Sequence, residues 1–226
     1  METLLMWDID GTLLRNKGAG RRAMNRAFEQ MMGDAGCRDA FDHIQMAGGL
    51  DLHFIHEVFA EQGVDRSRLE EYLSLYYAHL KEEVGDGQSI LMPNVRNMLE
   101  RARRTDSLYN ALGTGNLELG ARIKLDLFDL NSYFPVGGFC YGLVERYQVL
   151  QDGVERARKH YAVDFAPERV IIIGDTVRDI EAARKIGAKV IAVATGGNSY
   201  EMLEAAKPDL LLADLTDEER FFALCE

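Results

Sequence analysis

Short apolar runs that end in polar, glycine-bearing turns recur along this chain, and they constrain its fold more than any other feature. Leu4-Leu5-Met6-Trp7 leads into Asp8-Ile9-Asp10-Gly11-Thr12, Ser107–Leu112 into Gly113-Thr114-Gly115-Asn116, and Val170–Ile173 into Gly174-Asp175-Thr176. From Pro93 onward, apolar periodicity predicts helices at about 93–102, 117–127, 146–161 and 177–186. They alternate with strands at 108–112, 170–173, 189–193 and 209–212 and a short extended piece at 134–140. Strands alternating with helices imply an α/β fold built on a doubly wound parallel sheet. Ligands of such sheets bind beyond the carboxyl ends of the strands. Three polar strand ends, far apart in sequence, are therefore expected to meet at one pocket.

The first strand is followed by a different pattern. Ala23, Ala27, Phe28 and Met31 recur at helical spacing, as do Leu52, Ile55, Val58 and Phe59 behind a capping Asp51, and Leu69, Leu73, Tyr76, Tyr77 and Leu80 behind Ser67. Nothing between Asn16 and Gln88 reads as a strand. The expected organisation is a core of residues 1–15 and 89–226 with a helical domain, 16–88, inserted after the first strand on flexible joints. The aromatic residues Tyr72, Tyr76 and Tyr77 belong to the core of that insertion. At 226 residues the chain is long enough to bury both.

Asp8 and Asp10 stand at the end of the first strand, where two carboxylates are costly to bury unpaired. They point either to a metal, a substrate cation or chemistry, or to a solvated Asp-x-Asp-Gly turn. Gly11 permits a sharp turn that parts the second carboxylate from the first. Thr114 and Asn116 either hold an anion or cap the helix that begins near Leu117. Thr176-Val177-Arg178-Asp179 fits a capping box, so Asp179 is either structural or a support for a metal ligand.

Taken in order, Asp8-x-Asp10-x-Thr12, Thr114-Gly115-Asn116 and Gly174-Asp175-x-x-x-Asp179 resemble the haloacid dehalogenase superfamily, over essentially the whole chain. Within it the nearest broad group is the phosphoglycolate-phosphatase-like branch with a helical cap. The resemblance implies Asp8 as the nucleophile that forms an aspartyl-phosphate and Asp10 as general acid and base. It implies Mg²⁺ held by the Asp8 side chain, the Asp10 backbone carbonyl and Asp175. It assigns phosphate binding to Thr114, Gly115 and Asn116, and supporting places to Thr12, Gly174 and Asp179. The family also supplies a cation, usually a lysine followed by proline, between the second and third motifs. This chain has no Lys-Pro there; Arg146 is the substitute and Lys159 the fallback. Arginine keeps its charge and can grip phosphate with two N–H groups. Gly48-Gly49-Leu50-Asp51 is similar to the family's Gly-x-Thr-Asp cap loop, with leucine in place of threonine.

The implied activity is hydrolysis of a small phosphorylated metabolite under a mobile cap. A phosphosugar mutase using the same aspartates is the alternative, and a catalytically silent binding protein on the same fold a more distant one. Aspartate at position 10 disfavours the dehalogenase and phosphonatase branches, and Ile9-Asp10 in place of Lys-Thr disfavours the ATPases.

A net charge of −11 argues against nonspecific nucleic-acid binding but not against an anionic substrate, because a bound divalent cation inverts the local field. Cys37, Cys140 and Cys225 are odd in number and lack zinc spacing, which suits reduced thiols in the cytoplasm. No apolar run is long enough for a bilayer and no signal-like segment opens the chain. His53-x-x-His56 beside Glu57 shares a helical face, but such a pair without further ligands is commonly surface. Lys17, Arg21 and Arg22 sit near the first joint, either meeting a substrate anion or solvated. The oligomeric state is not encoded in any motif.

Overall fold

The computed structural model describes residues 1–33, 37–142 and 145–226. Its centre is a six-stranded sheet made of β1 (Thr3–Trp7), β4 (Leu108–Gly113), β5 (Gly137–Gly138), β6 (Val170–Gly174), β7 (Lys189–Val193) and β8 (Leu210–Leu212), in the order β5-β4-β1-β6-β7-β8. Every neighbouring pair is parallel. The sheet class read from the strand–helix alternation is thus the one observed. Parallel pairing places all carboxyl ends on one edge. Because β1 lies between β4 and β6, with Trp7 level with Leu112 on one side and Ile173 on the other, the residues that follow these three strands emerge side by side.

Both faces of the sheet are covered, as parallel sheets require. Alternation along β1 sends Leu5 and Trp7 to one face and Leu4 and Met6 to the other. The first face packs against α4 (Val95–Arg103), α5 (Glu118–Asp126) and the C-terminal α9 (Glu218–Cys225), where Phe221 stacks on Trp7. The second packs against α6 (Arg146–Tyr161) and α7 (Val177–Lys185). A short α8 (Tyr200–Ala205) precedes β8. Sequence periodicity misses α8 and α9, because segments of six and eight residues are too short to display a helical period.

Between β1 and β4 lie α1 (Ala19–Met32), α2 (Asp51–Glu61) and α3 (Leu69–Val84). These helices bury their own cluster, including Phe28, Phe41, Phe59, Tyr72 and Tyr76. The chain enters and leaves this segment through β2 (Leu14–Arg15) and β3 (Ile90–Leu91), which pair antiparallel. The joints expected to be merely flexible are therefore tied to each other. A two-residue ladder carries no periodicity that a sequence reading can detect. Among the described residues, no helix is long and apolar enough to cross a membrane.

Candidate active site

The three polar strand ends meet. Asp8 follows β1, its backbone N–H donating to Ile173 O at 2.9 Å, and its side chain is buried. Asp175 follows β6, and Asp179 lies in the first turn of α7. The three bring carboxylate oxygens within 4.8 Å of one another, all buried. Among the described residues, one cation pairs directly with two of them. Arg146, the first residue of α6, places Nη2 2.9 Å from Asp8 Oδ1 and 2.7 Å from Asp179 Oδ1, and donates to Gly113 O at 3.2 Å. Its buried Nε has no partner among the described residues. Lys159 is exposed near the far end of α6, and Glu145 pairs with Lys185 at 2.5 Å rather than with Arg146.

Three buried carboxylates around one guanidinium leave excess negative charge, and the acidities respond. Burial, with repulsion from Asp179 and Asp10, raises the Asp8 carboxyl to about 6 against the attraction of Arg146. Burial and the neighbouring Asp8 and Asp179 raise Asp175 well above the usual carboxylate value. Such a cluster, offering only oxygen donors, is chemically suited to a hard divalent cation.

Asp175 is held from several sides. Thr12 Oγ1 donates to Oδ1 at 3.3 Å and the Gly197 N–H to Oδ2 at 2.5 Å. Gly11 adopts φ 88° and passes so close that a Cβ there would lie 2.5 Å from Asp175 Oδ2. Asp179 closes the capping box with Thr176, as the Thr-x-x-Asp pattern suggests, and its carboxylate also accepts from Arg146. A Cβ on Gly174 would lie 2.5 Å from that carboxylate.

Asp10 turns away from this cluster, as the Gly11 turn allows. Its carboxylate accepts from Lys124 Nζ at 2.6 Å, Asn116 Nδ2 at 2.9 Å and Asn16 Nδ2 at 3.0 Å. Burial would raise Asp10, but the Lys124 ammonium and these hydrogen bonds outweigh it and hold the carboxyl below its usual value. Lys124 is the basic residue that sequence reading misses. It lies in the last turn of α5, within a stretch of ordinary helical charge spacing, and only the fold turns it inward.

The second motif divides. Gly115 and Asn116 line the cavity beside Asp8, whereas the buried Thr114 does not, and its hydroxyl accepts from Asn116 N and Nδ2 at 3.3 and 2.8 Å. Neither Thr114 nor Asn116 caps α5. The Leu117 N–H at its start is received by Asp51 Oδ2, at 3.0 Å, from the helical insertion. Asp51 was expected to cap α2; it is instead the first residue of that helix, with Leu50 as the cap, and its side chain reaches across to α5. Its own N–H donates to Gly115 O at 3.0 Å. Burial raises its carboxyl to about 6, against the attraction of Lys124.

These elements enclose a cavity of about 450 Å³ bounded by Asp8, Asp10, Asp51, Tyr76, Lys124 and Arg146, with glycines of the loops at 48–49, 115 and 196–197 in its wall. Lys17 and Arg21 also line it; Arg21 donates to Asp42 O and Ile44 O. Arg22 instead pairs with Glu83 and Asp86. Among the described residues, no ligand set assembles around His53 and His56; His43, Glu57 and Glu61, all exposed, come together instead, because Glu57 and Glu61 share one face of α2.

Residues 5–193 match the family model for haloacid dehalogenase-like hydrolases. The chain belongs to that family. It is 36% identical over 131 residues to a phosphoglycolate phosphatase of Synechococcus elongatus, covering 56% of this chain and 57% of that protein. It is 24% identical over 216 residues to a putative pyrophosphatase PpaX of Caldanaerobacter subterraneus, covering 94% and 91%. The fold matches the crystal structure of CbbY from Rhodobacter sphaeroides in complex with phosphate, at a TM-score of 0.72 and 19% identity over 96% of each chain.

Proposed function

We propose that this hydrolase is a Mg²⁺-dependent phosphatase that cleaves a small phosphorylated metabolite through an aspartyl-phosphate on Asp8. The observation that carries the reading is the buried cluster of Asp8, Asp175 and Asp179 around Arg146 at the carboxyl edge of the sheet. Asp8, Asp175 and the Asp10 backbone carbonyl would hold the ion. When bound, it neutralises phosphoryl charge and relieves repulsion among the carboxylates.

Asp8 attacks phosphorus, the new O–P bond forming as the ester P–O bond breaks. Arg146, paired with Asp8 at 2.9 Å, offsets charge on the phosphoryl oxygens. Asp10 delivers a proton to the departing alkoxide. Lys124 holds Asp10 ionised in the free protein, so a phosphomonoester entering as its monoanion is the source of that proton. Asp10 then takes a proton from water, which attacks the phosphorus of the aspartyl-phosphate, frees Asp8 and releases inorganic phosphate.

In this reading the insertion is a cap over residues 16–88. The Asp51 bonds to Gly115 and Leu117 are its closing contacts, excluding water from the reacting centre. A cavity of about 450 Å³ suits a metabolite rather than a polymer, and three free cysteines suit a reducing cytoplasm. The test is phosphate release from a panel of phosphomonoesters and pyrophosphate with Mg²⁺ or with EDTA. Release should require the metal and fall about a thousandfold or more in Asp8→Asn, whose circular dichroism stays native. Wild-type turnover by Asp8→Asn rejects the nucleophile, and silence of the folded wild type with metal rejects the phosphatase.

A further inference from the structure

A fourth strand end reaches the site without carrying an acid. The apolar run Val190-Ile191-Ala192-Val193-Ala194, which takes in most of β7, leads into Thr195-Gly196-Gly197-Asn198. Ala192 is level with Gly174 across the β6–β7 ladder, so this turn emerges beside Asp175, and the Ala194 N–H seats it by donating to Leu212 O at 2.9 Å. The Gly197 N–H donates to Asp175 Oδ2 at 2.5 Å. Asn198 Oδ1 accepts from the Val177 N–H at 2.8 Å, at the start of the helix that carries Asp179. A Cβ on Gly196 would lie 1.9 Å from Asp175 Oδ2 and 2.8 Å from Gly11 Cα, so the Asp175 carboxylate is held between two backbones.

The same turn fixes the first motif. Thr195 Oγ1 donates to Gly11 O at 2.6 Å; a carbonyl cannot donate, so the direction of this bond is certain. Arg15 of β2 in turn donates to Thr195 O. Gly11 sits at φ 88°, and a glycine has wide conformational freedom unless the peptides on either side of it are bonded. On its amino side the Gly11 N–H donates to Leu14 O at 2.8 Å, and in a trans peptide the Asp10 carbonyl then points the opposite way. On its carboxyl side the peptide is held by the Thr195 hydroxyl at the carbonyl and by Thr12 N–H donating to Ile9 O at 3.3 Å.

Resting on the reading of Asp175 and the Asp10 carbonyl as Mg²⁺ ligands, we infer that Thr195 is a positioning residue for the ion. Its hydroxyl ties the Gly11 peptide, and with it the direction of the Asp10 carbonyl, to the turn whose Gly197 N–H holds Asp175. One turn thus sets the spacing of two ligands that come from separate strand ends. Mg²⁺ demands near-ideal octahedral geometry, so a pair of ligands free to splay binds it less well. Bonds made to the ligands rather than to the ion govern about tenfold to a hundredfold in metal affinity.

The experiment follows melting temperature against MgCl₂ concentration, without substrate, in wild type, Thr195→Val, Thr195→Ala and Thr195→Ser, each referred to its own value in EDTA. The concentration at which stability begins to rise reports the dissociation constant of the ion. Valine keeps the shape of threonine and loses the hydroxyl, whereas serine keeps the hydroxyl. Thr195→Val should need about tenfold more Mg²⁺ than wild type, and Thr195→Ser should stay close to wild type. Thr195→Ala should match the valine variant, and it decides the matter if valine fails to fold. A threonine that merely packs would lower the melting temperature in EDTA and leave the Mg²⁺ dependence unmoved, which overturns the inference. Equal weakening in the serine and valine variants overturns it too, because the hydroxyl is then not the cause. A wild type that gains no stability from Mg²⁺ overturns instead the reading of the acidic cluster as the ion's site.

Discussion

Arg146 and Lys124 show how much of this site depends on single buried charges. Arg146 neutralises Asp8 and Asp179 where water cannot, and deleting one partner of a buried ion pair is far costlier than the pair is stabilising. Arg146→Ala should therefore lose about 3 kcal/mol or more in urea unfolding with EDTA present, and Mg²⁺ should restore more stability to the variant than to wild type. A loss below about 1 kcal/mol would mean that the carboxylates simply take up protons instead. Arg146 was legible because it sits in the right interval between motifs at a helix start. Lys124 was not. Its spacing on α5 is that of any solvated lysine, and what identifies it is the approach of Asp10 and Asn116 from two other strand ends.

At the scale of elements, the decisive contact is between the loop after β4 and the loop before α2. A Cβ on Gly115 would lie 1.9 Å from Gly49 O and 2.9 Å from Arg146 Nη1, so the backbones approach as closely as only glycine permits. Gly115→Ala must separate the insertion from the core or displace Arg146. It should cut kcat/KM by about a hundredfold or more, in keeping with the cost of small misplacements at a reacting centre, while the sheet remains folded by circular dichroism. Normal kinetics would show that the contact is dispensable. The motif Thr114-Gly115-Asn116 was visible in the sequence, but not its division of labour. Asn116 faces Asp10 while Thr114 faces Asn116, a difference set by how the chain leaves β4. Likewise Asp51 was visible as a helix-start residue, and only packing shows which helix its side chain serves.

For the whole molecule, the burial of like charges links stability to pH and to the metal. The folded-state pKa of Asp8, about 6, lies above its ordinary value of 3.8. Its contribution to stability is then full below about pH 4 and is lost as pH rises through about 6, roughly 2–3 kcal/mol in the absence of metal. Mg²⁺ should abolish that loss by taking the ionised carboxylates, and its apparent affinity should weaken below about pH 6 as protons compete. Melting temperatures against pH in EDTA and in saturating Mg²⁺ test this: the two curves should part as pH rises from about 4 to about 6 and stay apart above it, and curves a constant distance apart across that range would reject the cluster as a cation site. By itself the sequence determined the sheet class, the helices between the first strand and Gln88 and the order of the acidic motifs, because alternation, helical period and short motifs are local properties of the chain. Tertiary structure alone decided that Lys124 turns inward to Asp10, that β2 and β3 tie the joints together, and that the Asp51 side chain reaches across to the start of α5. Each of these depends on groups from separate elements meeting, and no local pattern of residues encodes the distance between them.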